Sequence, residues 1–243
     1  MLSQKFQDLL EGPFSFLLQK RLVVAVSAGV DSMTLANLCL KSSLNIAIAH
    51  CNFSLREKES DLDAQFVKDW GQQHTIPVFV KVFDTKAYAN TEKISTQMAA
   101  RDLRYNWFDA LIKAENFDYL LTAHHANDSL ETLLINLGRG SGLKGLSGIP
   151  ERNRKVVRPL LRFSRKHILE YAEVNQLKWR EDRSNESTVY LRNALRHEVV
   201  PAYEKAIPQL LGSVQKTQDH LRQTEQLLAV YTAELRSLSL IHI

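Results

Sequence analysis

The stretch SAGVDS, at 27–32, has residue types suited to holding a phosphate group. Ala28 and Gly29 are small enough to let a ligand approach the backbone, and serine hydroxyls flank them. A helix expected to begin near Asp31 would present N–H groups that bind anions. A carboxylate does not bind phosphate directly, so Asp31 predicts a magnesium ion between itself and the phosphates. The alternative is a plain strand–turn–helix junction with an Asp and Ser cap.

A second polar group, HHANDSLET at 124–132, also follows a short apolar run. Asp128 and Glu131 are one helical turn apart and share a face with His124 or His125. Such a cluster could be a metal site. Because no cysteine or third histidine is near, we favour magnesium and the polar groups of a nucleotide. The alternative is a helix cap whose histidines are hydrogen bonded within the fold.

Basic residues form two further candidate sites. Arg101 and Arg104 are one helical turn apart and could clamp a phosphate or a base, or form ion pairs with Asp102 and Asp109. Residues 151–206 hold 13 Lys or Arg against 8 Asp or Glu, whereas the rest of the chain holds 18 against 19. This excess indicates either a polyanion partner or a solvated basic surface.

An alternation of strands and helices would position these groups. Four short apolar runs predict strands buried on both faces: 22–26, 46–49, 78–83 and 119–122. Helical spacing separates them at 32–40, 57–73, 91–114 and 127–137. This alternation predicts an α/β fold with a Rossmann-like parallel sheet and helices on both faces. Ligands bind such sheets at the carboxyl ends of the strands, where both polar groups fall.

The second half of the chain predicts a loop, a small helical region and a long helix. Residues 138–150 are rich in glycine and predict a loop. The expected elements after it are a strand at 156–157, a helix at 164–175 capped by Ser164, and a helix from about 190 that stops before Pro201. From 209 to 238 apolar residues recur at threes, fours and sevens, which predicts one amphipathic helix that must bury its stripe.

Composition limits the cell compartment and the kinds of site. The 243 residues contain two cysteines, Cys39 and Cys51, without CxxC spacing. This argues against a disulfide framework, a zinc knuckle or an iron–sulfur cluster. No apolar run approaches the length of a membrane span, and the first residues lack the layout of a signal peptide. We therefore expect a cytoplasmic protein that does not bind membranes.

The loop at 27–32 resembles the SGGxDS signature of the N-type ATP pyrophosphatases, except that Ala28 replaces a glycine. The resemblance implies an adenine nucleotide alpha hydrolase-like fold and cleavage of ATP between its α- and β-phosphates. Seven further motifs are similar, in order, to those of tRNA(Ile)-lysidine synthetases. They are HCNFSLREKESDLDAQF (50–66), ARDLRY (100–105), TAHHANDSLET (122–132), RGSGLKGLSGI (139–149), RPLL (158–161), WREDRSN (179–185) and YLRNALRHEVVP (190–201).

This resemblance implies that ATP, magnesium, free L-lysine and the isoleucine tRNA with a CAU anticodon are the ligands. The implied catalytic residues are Asp31, Asp128, Arg101 and Glu131, with Asp31 and Asp128 holding the metal. The implied ATP-binding residues are Ser27, Ala28, Gly29, Val30, Asp31, Ser32, His124 and His125. The implied tRNA-binding residues are Arg104, Arg139, Arg158, Arg162, Arg165, Lys166, Asn185, Arg192 and Arg196. Glu131 or Asp182 could take the proton from lysine.

Several alternatives remain open at this stage. A tRNA thiolase shares the loop type but commonly carries paired cysteines, and a non-catalytic ATP sensor would have little use for the basic segment. Trp179 could stack on a base or pack in the core. We expect a catalytic domain at 1–206, with 151–206 facing tRNA. Residues 207–243 would then be a helical linker, the start of a second domain or a surface for a homodimer.

Overall fold

The computed structural model describes residues 2–56, 58–181 and 191–240, with side chains as far as 237. The described residues divide into two compact units, one of those within 1–124 and 151–182 and the other of those within 125–150 and 183–243. The first unit contains the sheet, and the second is helical. The domain boundary expected at 206/207 stays a prediction. The early and late helices of the second unit bury apolar residues together.

The sheet of the first unit has the strand order β3–β2–β1–β4–β6–β5. Its strands are β1 (Leu22–Ala25), β2 (Ile46–Asn52), β3 (Val78–Val82), β4 (Tyr119–Leu121), β5 (Arg152–Asn153) and β6 (Val156–Val157). All pairs are parallel except β5 with β6, which is antiparallel. The predicted parallel sheet and the predicted strand at 156–157 are confirmed, whereas β5 was not foreseen.

The helices of the first unit cover both faces of the sheet, as predicted. They are α1 (Leu2–Glu11), α2 (Val30–Lys41), α3 (Lys58–Gln73), α4 (Thr85–Glu92), α5 (Thr96–Ala114) and α8 (Arg165–Val174). Alternate residues of β1 point to opposite faces: Leu22 and Val24 join the larger apolar core, and Val23 joins the core beside α5. Burial on both faces explains why β1 is continuously apolar.

Two expectations about the first unit need correction, and one helix was not predicted. β3 is not buried on both faces, because it is an edge strand with one neighbour, and it is half-buried to exposed. The single helix expected at 91–114 is two helices. Helix α4 ends at Glu92, with the C-cap Lys93 at a φ of 54°, and Ser95 caps α5 by accepting from the Met98 N–H at 3.2 Å. Helix α1 was not predicted, although Phe6 and Leu10 are fully buried.

The second unit is built from helices that share a small apolar core. They are α6 (Ala126–Gly138), α7 (Leu143–Leu146), α9 (Leu191–Ala194), a π-helical turn (Leu195–Val199), α10 (Val200–Ala206) and α11 (Leu210–Leu240). Leu130, Val200 and Leu210 form the core. The glycine-rich loop therefore contains a short helix. The expected stop before Pro201 is wrong, because Pro201 lies in the first turn of α10, where no backbone N–H is needed.

Helix α11 is buried over its first part only. Gln218 is buried and accepts a hydrogen bond from the Ser129 hydroxyl at 2.9 Å. Beyond it, Leu228 and Tyr231 are 49% and 58% exposed. Burial of the whole predicted stripe is thus not found among the described side chains. No helix in the described part of the chain is long and apolar enough to cross a membrane.

Candidate functional site

The loop at 27–32, hereafter the phosphate loop, joins β1 to α2 as the sequence indicated. The helix begins at Val30, one residue earlier than predicted, with Gly29 at its N-cap. The Ser32 hydroxyl donates to the Gly29 carbonyl at 2.9 Å and accepts from the Ser27 N–H at 3.1 Å. Ser32 therefore holds the turn closed from inside, and the helix start directs its first N–H groups out of the turn.

Ala28 adopts a left-handed conformation, with φ at 72°, and its side chain is fully buried. A residue with a Cβ pays conformational energy there, whereas glycine does not. This geometry explains why the related signature carries glycine at this position.

Gly29 is a glycine that the fold does not require. Its φ of −74° and ψ of 159° are open to any residue. A Cβ added to Gly29 would meet only the Ser27 hydroxyl, at an ordinary 3.5 Å. Glycine is a favourable N-cap residue, and it also lets a ligand approach the backbone closely.

His50, near the end of β2, forms a hydrogen bond to the residue that precedes the phosphate loop. Its ring is buried, and Nδ1 donates to the Val26 carbonyl at 2.8 Å. Burial lowers the pKa of His50 below 6.5; the hydrogen bond to Val26 and the charge of Asp63 oppose this, and Lys68 adds to it. His50 is therefore a neutral hydrogen-bond donor at neutral pH. The motif at 50–66 begins with His50, but no role for this histidine was predicted from the sequence.

The carbonyl groups around the phosphate loop are tied to the protein. The Val26 carbonyl accepts from His50, and the Ala28 carbonyl accepts from the Arg180 N–H at 3.0 Å. The Gly29 carbonyl accepts from the Met33 N–H at 3.0 Å as well as from Ser32. Oxygen atoms that would repel a phosphate are thus directed into hydrogen bonds, which suits this turn to an anion.

His124 and His125 take different roles, and they belong to different units. His124 follows β4, and its Nδ1 lies 2.9 Å from the Thr122 hydroxyl. His125 is buried and caps α6: its N–H donates to the Asp128 carboxylate at 3.0 Å, and its Nδ1 accepts from the Asp128 N–H at 3.4 Å. The helix-cap alternative is therefore correct for His125 and Asp128, without excluding a ligand.

Glu131 forms the centre of a buried charge cluster in the second unit. Its carboxylate is 1% exposed and accepts from Arg196 at 2.7 and 2.9 Å and from Arg192 at 3.1 Å. Arg196 also donates to Asp128 at 3.2 Å. Charge-assisted bonds of this kind are the strong ones in proteins. Arg192 and Arg196, predicted to bind tRNA, therefore already hold a predicted catalytic carboxylate.

No group of three or more His, Cys, Asp or Glu side chains is placed to hold a metal ion within 2–56, 58–181 and 191–237. Asp31 lies in the first turn of α2 in the first unit, and Asp128 lies in α6 of the second. Magnesium binding by this pair stays a prediction. Magnesium commonly takes one or two carboxylates and completes its shell with phosphate oxygens and water.

The arginines of α5 lie against aromatic rings. The Arg101 guanidinium is 5.0 Å from the centre of the Tyr105 ring, and that of Arg104 is 5.2 Å from the Phe53 ring. Arg158 is buried and hydrogen bonded to Tyr105; burial lowers its pKa, Tyr105 opposes this, and Arg101 adds to it. The roles predicted for Arg101, Arg104 and Arg158 stay predictions.

The remaining predicted tRNA contacts are at the surface of their units. Arg162 pairs with Glu151, and Lys166, 83% exposed, lies 4.0 Å from Glu170. Arg165 and Arg139 are also exposed. Asn185 and Asp182 lie outside the described residues, as does Arg183 of the same basic segment.

Trp179 packs against the larger apolar core of the first unit, beside Leu177. This favours the core-packing alternative. The next residue, Arg180, was missed, although the motif WREDRSN contains it. Its partner Asp63 was missed too, because a buried Asp on a helix gives no sequence signal of its own.

A parallel sheet with a tied-back phosphate loop at the carboxyl end of its central strand defines an α/β nucleotide-binding protein of the phosphate-loop kind. Residues 2–203 match the family described as PP-loop domain. The chain belongs to this family.

Curated relatives are consistent with that membership. The chain is 41% identical over 200 residues to a tRNA(Ile)-lysidine synthase from Porphyromonas gingivalis, a match that covers 82% of this chain and 44% of the relative. It is 38% identical over 218 residues to the tRNA(Ile)-lysidine synthase of Chlorobaculum tepidum, covering 88% and 66%. The match to the Bacteroides thetaiotaomicron enzyme is 37% over 221 residues and covers 91% and 52%. The chain spans about half the length of the first of these relatives.

Solved structures share the fold. A U34-tRNA thiolase from Methanococcus maripaludis, with its [4Fe-4S] cluster, matches with a TM-score of 0.73 and 19% identity, over 90% of this chain and 76% of that one. An NMN synthetase from Francisella tularensis matches with a TM-score of 0.55 and 15% identity, over 90% and 94%. At these identities the likeness concerns the fold alone.

Proposed function

We propose that this chain carries the catalytic machinery for ATP-dependent transfer of L-lysine to C2 of the wobble cytidine in an isoleucine tRNA with a CAU anticodon. The similarity to the curated lysidine synthases carries this proposal. In the first step the C2 oxygen of the cytidine attacks the α-phosphorus of ATP, and pyrophosphate leaves. In the second, the ε-amine of lysine displaces AMP and loses a proton.

ATP would bind with its phosphates on the phosphate loop. Helix-start N–H groups and the Ser27 hydroxyl are the proposed donors; the Ser32 hydroxyl already donates to the Gly29 carbonyl and shapes the turn, and the loop carbonyls are already engaged. Preorganised donors of this kind stabilise charge that develops on the leaving pyrophosphate. Magnesium, when bound, would neutralise part of that charge. Asp31 and Asp128 are the proposed ligands, and their hard carboxylate oxygens suit that ion.

Glu131 is the proposed contact for the lysine amine. Both of its oxygens accept hydrogen bonds from arginines. It would therefore have to exchange one arginine for the amine before it takes a proton. Asp182, the other candidate, lies outside the described residues.

The proposed tRNA contacts are the basic residues Arg104, Arg139, Arg158, Arg162, Arg165, Lys166, Asn185, Arg192 and Arg196. Contacts to the phosphate backbone supply affinity and register, whereas base contacts supply specificity. A cytoplasmic location and a possible homodimer belong to the same proposal.

A tRNA thiolase is the second candidate, because a thiolase shares the fold. The 243 residues contain only Cys39 and Cys51, fewer than the four thiolates that usually hold an iron–sulfur cluster. Burial raises the pKa of Cys51 to about 12 and that of Cys39 further, so both thiols are protonated and poor nucleophiles. The small number and low reactivity of the cysteines favour the lysine-transferring ligase over the thiolase.

Pyrophosphate release tests the proposal, measured with ATP, L-lysine and a transcript of the isoleucine tRNA. Release should require the transcript, and lysidine should form only when lysine is present. Asp31→Asn should abolish release, whereas Asp69→Asn, an exposed aspartate on α3, should not change it. Release that needs a sulfur donor instead of lysine would favour the thiolase. Binding of ATP without any release would favour a sensor.

A further inference from the structure

Arg180, in the segment that follows α8, contacts the phosphate loop. The Arg180 N–H donates to the carbonyl of Ala28 at 3.0 Å. Ala28 is the residue in the left-handed conformation. Its peptide group therefore has a fixed partner outside the loop.

The side chain of Arg180 is anchored in helix α3. Its Nε donates to the Asp63 carboxylate at 2.5 Å, and an Nη donates to Glu59 at 2.7 Å. Asp63 is buried and also accepts from Arg56 at 2.7 Å. The Arg180 side chain is only 28% exposed. Two carboxylates on one helix thus hold the backbone of Arg180 at a defined place beside Ala28.

We propose that Arg180 is a positioning residue for the phosphate loop. A residue with a Cβ stays in the left-handed region only where its surroundings hold it there. The hydrogen bond to the Ala28 carbonyl supplies this hold, and the Asp63 and Glu59 contacts keep the donor in place. The loop carbonyl is thereby turned away from the phosphates, and the helix-start N–H groups face the triphosphate of ATP.

The inference rests on the proposed binding of ATP by the phosphate loop, and it concerns how that loop is held ready. Without the anchor, the loop would spend part of its time in conformations that do not bind. The apparent dissociation constant rises in proportion as the competent fraction falls, so a fraction of about one tenth weakens binding about tenfold.

A double-mutant cycle tests the proposal, with binding of α,β-methylene-ATP and magnesium followed by calorimetry. Arg180→Met keeps the backbone N–H but loses the side-chain hydrogen bonds to Asp63 and Glu59. It should weaken binding of the ATP analogue about tenfold. Ala28→Gly should reverse most of that loss, because glycine adopts a positive φ without support. The gain from Ala28→Gly should be about fivefold larger beside Arg180→Met than in the parent chain. Lys178→Met, an exposed neighbour on the same segment, should leave binding unchanged.

Equal effects of Ala28→Gly in the two backgrounds would overturn the proposal, because Arg180 would then act by a route other than Ala28. If Arg180→Met does not fold, the same cycle is run with Glu59→Gln, whose carboxylate is 61% exposed. A weakening of about threefold that Ala28→Gly reverses then supports the proposal, and additive effects overturn it. If the parent chain does not bind the analogue, the phosphate-loop assignment itself fails, and the positioning role fails with it.

Discussion

Arg196 donates two hydrogen bonds to the two carboxylate oxygens of Glu131, at 2.7 and 2.9 Å. A residue from the motif at 190–201 is thereby joined to a residue from the motif at 122–132, within the helical unit. The pair unites a predicted tRNA contact with a predicted catalytic carboxylate. Its strength has a direct consequence for stability.

Glu131→Gln should destabilise the protein. The substitution removes the charge that Arg192 and Arg196 share. Because these two side chains are 45% and 22% exposed and Arg196 keeps its bond to Asp128, the cost should be about 2 kcal/mol. Urea denaturation monitored by circular dichroism measures the change. Glu170→Gln is the matched control, because Glu170 is exposed and lies 4.0 Å from Lys166; it should change the free energy of unfolding by no more than about 0.5 kcal/mol. Similar values for the two variants would mean that the cluster contributes little to stability.

Gly29→Ala should separate folding from ligand binding. The backbone at Gly29 accepts any residue, and an added Cβ meets only an ordinary contact. Alanine restricts the unfolded chain but is a poorer N-cap than glycine, so the free energy of unfolding should change by no more than about 1 kcal/mol. Binding of the ATP analogue should weaken at least about tenfold, equivalent to 1.4 kcal/mol. Gly212→Ala is the control, because Gly212 is an exposed helical glycine with free space around its Cβ position. Unchanged affinity in Gly29→Ala would contradict close phosphate approach at this residue.

The protein should lose stability as the pH is lowered, because of His50. Its pKa is lowered in the folded protein, mainly by burial, so the unfolded chain binds the proton more readily. The free energy of unfolding should therefore be independent of His50 protonation above about pH 6.5. Below that pH it should decrease, by at most about 1.4 kcal/mol per pH unit. The fall stops at the folded-state pKa.

The variant His50→Asn should flatten this pH dependence. Asparagine keeps an N–H donor for the Val26 carbonyl and does not titrate. Urea titrations between pH 5 and 8 would measure the change. His220→Asn, an exposed histidine on α11, should retain the parent profile. A slope that survives His50→Asn would assign the pH dependence to another group.

The basic segment should govern tRNA affinity but not ATP affinity. Replacing Arg162, Arg165 and Lys166 together with glutamine should reduce the slope of log affinity against log salt by up to about 2.7, since each lost phosphate contact removes about 0.9. The control replaces three exposed lysines near β3 and α4: Lys81, Lys86 and Lys93. It removes the same charge. Equal losses in the two triple variants would show that net charge, not these positions, attracts the tRNA.

Much of the fold followed from the pattern of the chain. Runs such as 46–49 and 119–121 lack charged and strongly polar residues because helices cover parallel strands on both faces and exclude water from both. Ser164 was a correct N-cap, since its hydroxyl accepts from the His167 N–H at 3.2 Å. The phosphate loop could likewise be located from the sequence, because its small residues and serines are contiguous, at 27–32. Local patterns such as these are set by neighbouring residues.

The sequence by itself determined the alternation of β1 to β4 with helices, the phosphate loop and the family that its motifs resemble. Only the tertiary structure decided that Ala28 has a positive φ, that Arg180 reaches Asp63 117 positions away, and that Arg192 and Arg196 hold Glu131. Partners so distant in sequence leave no periodic signal, because hydropathy and spacing report only neighbours within a turn or a strand. Folding brings them together, and burial then makes their charges depend on one another.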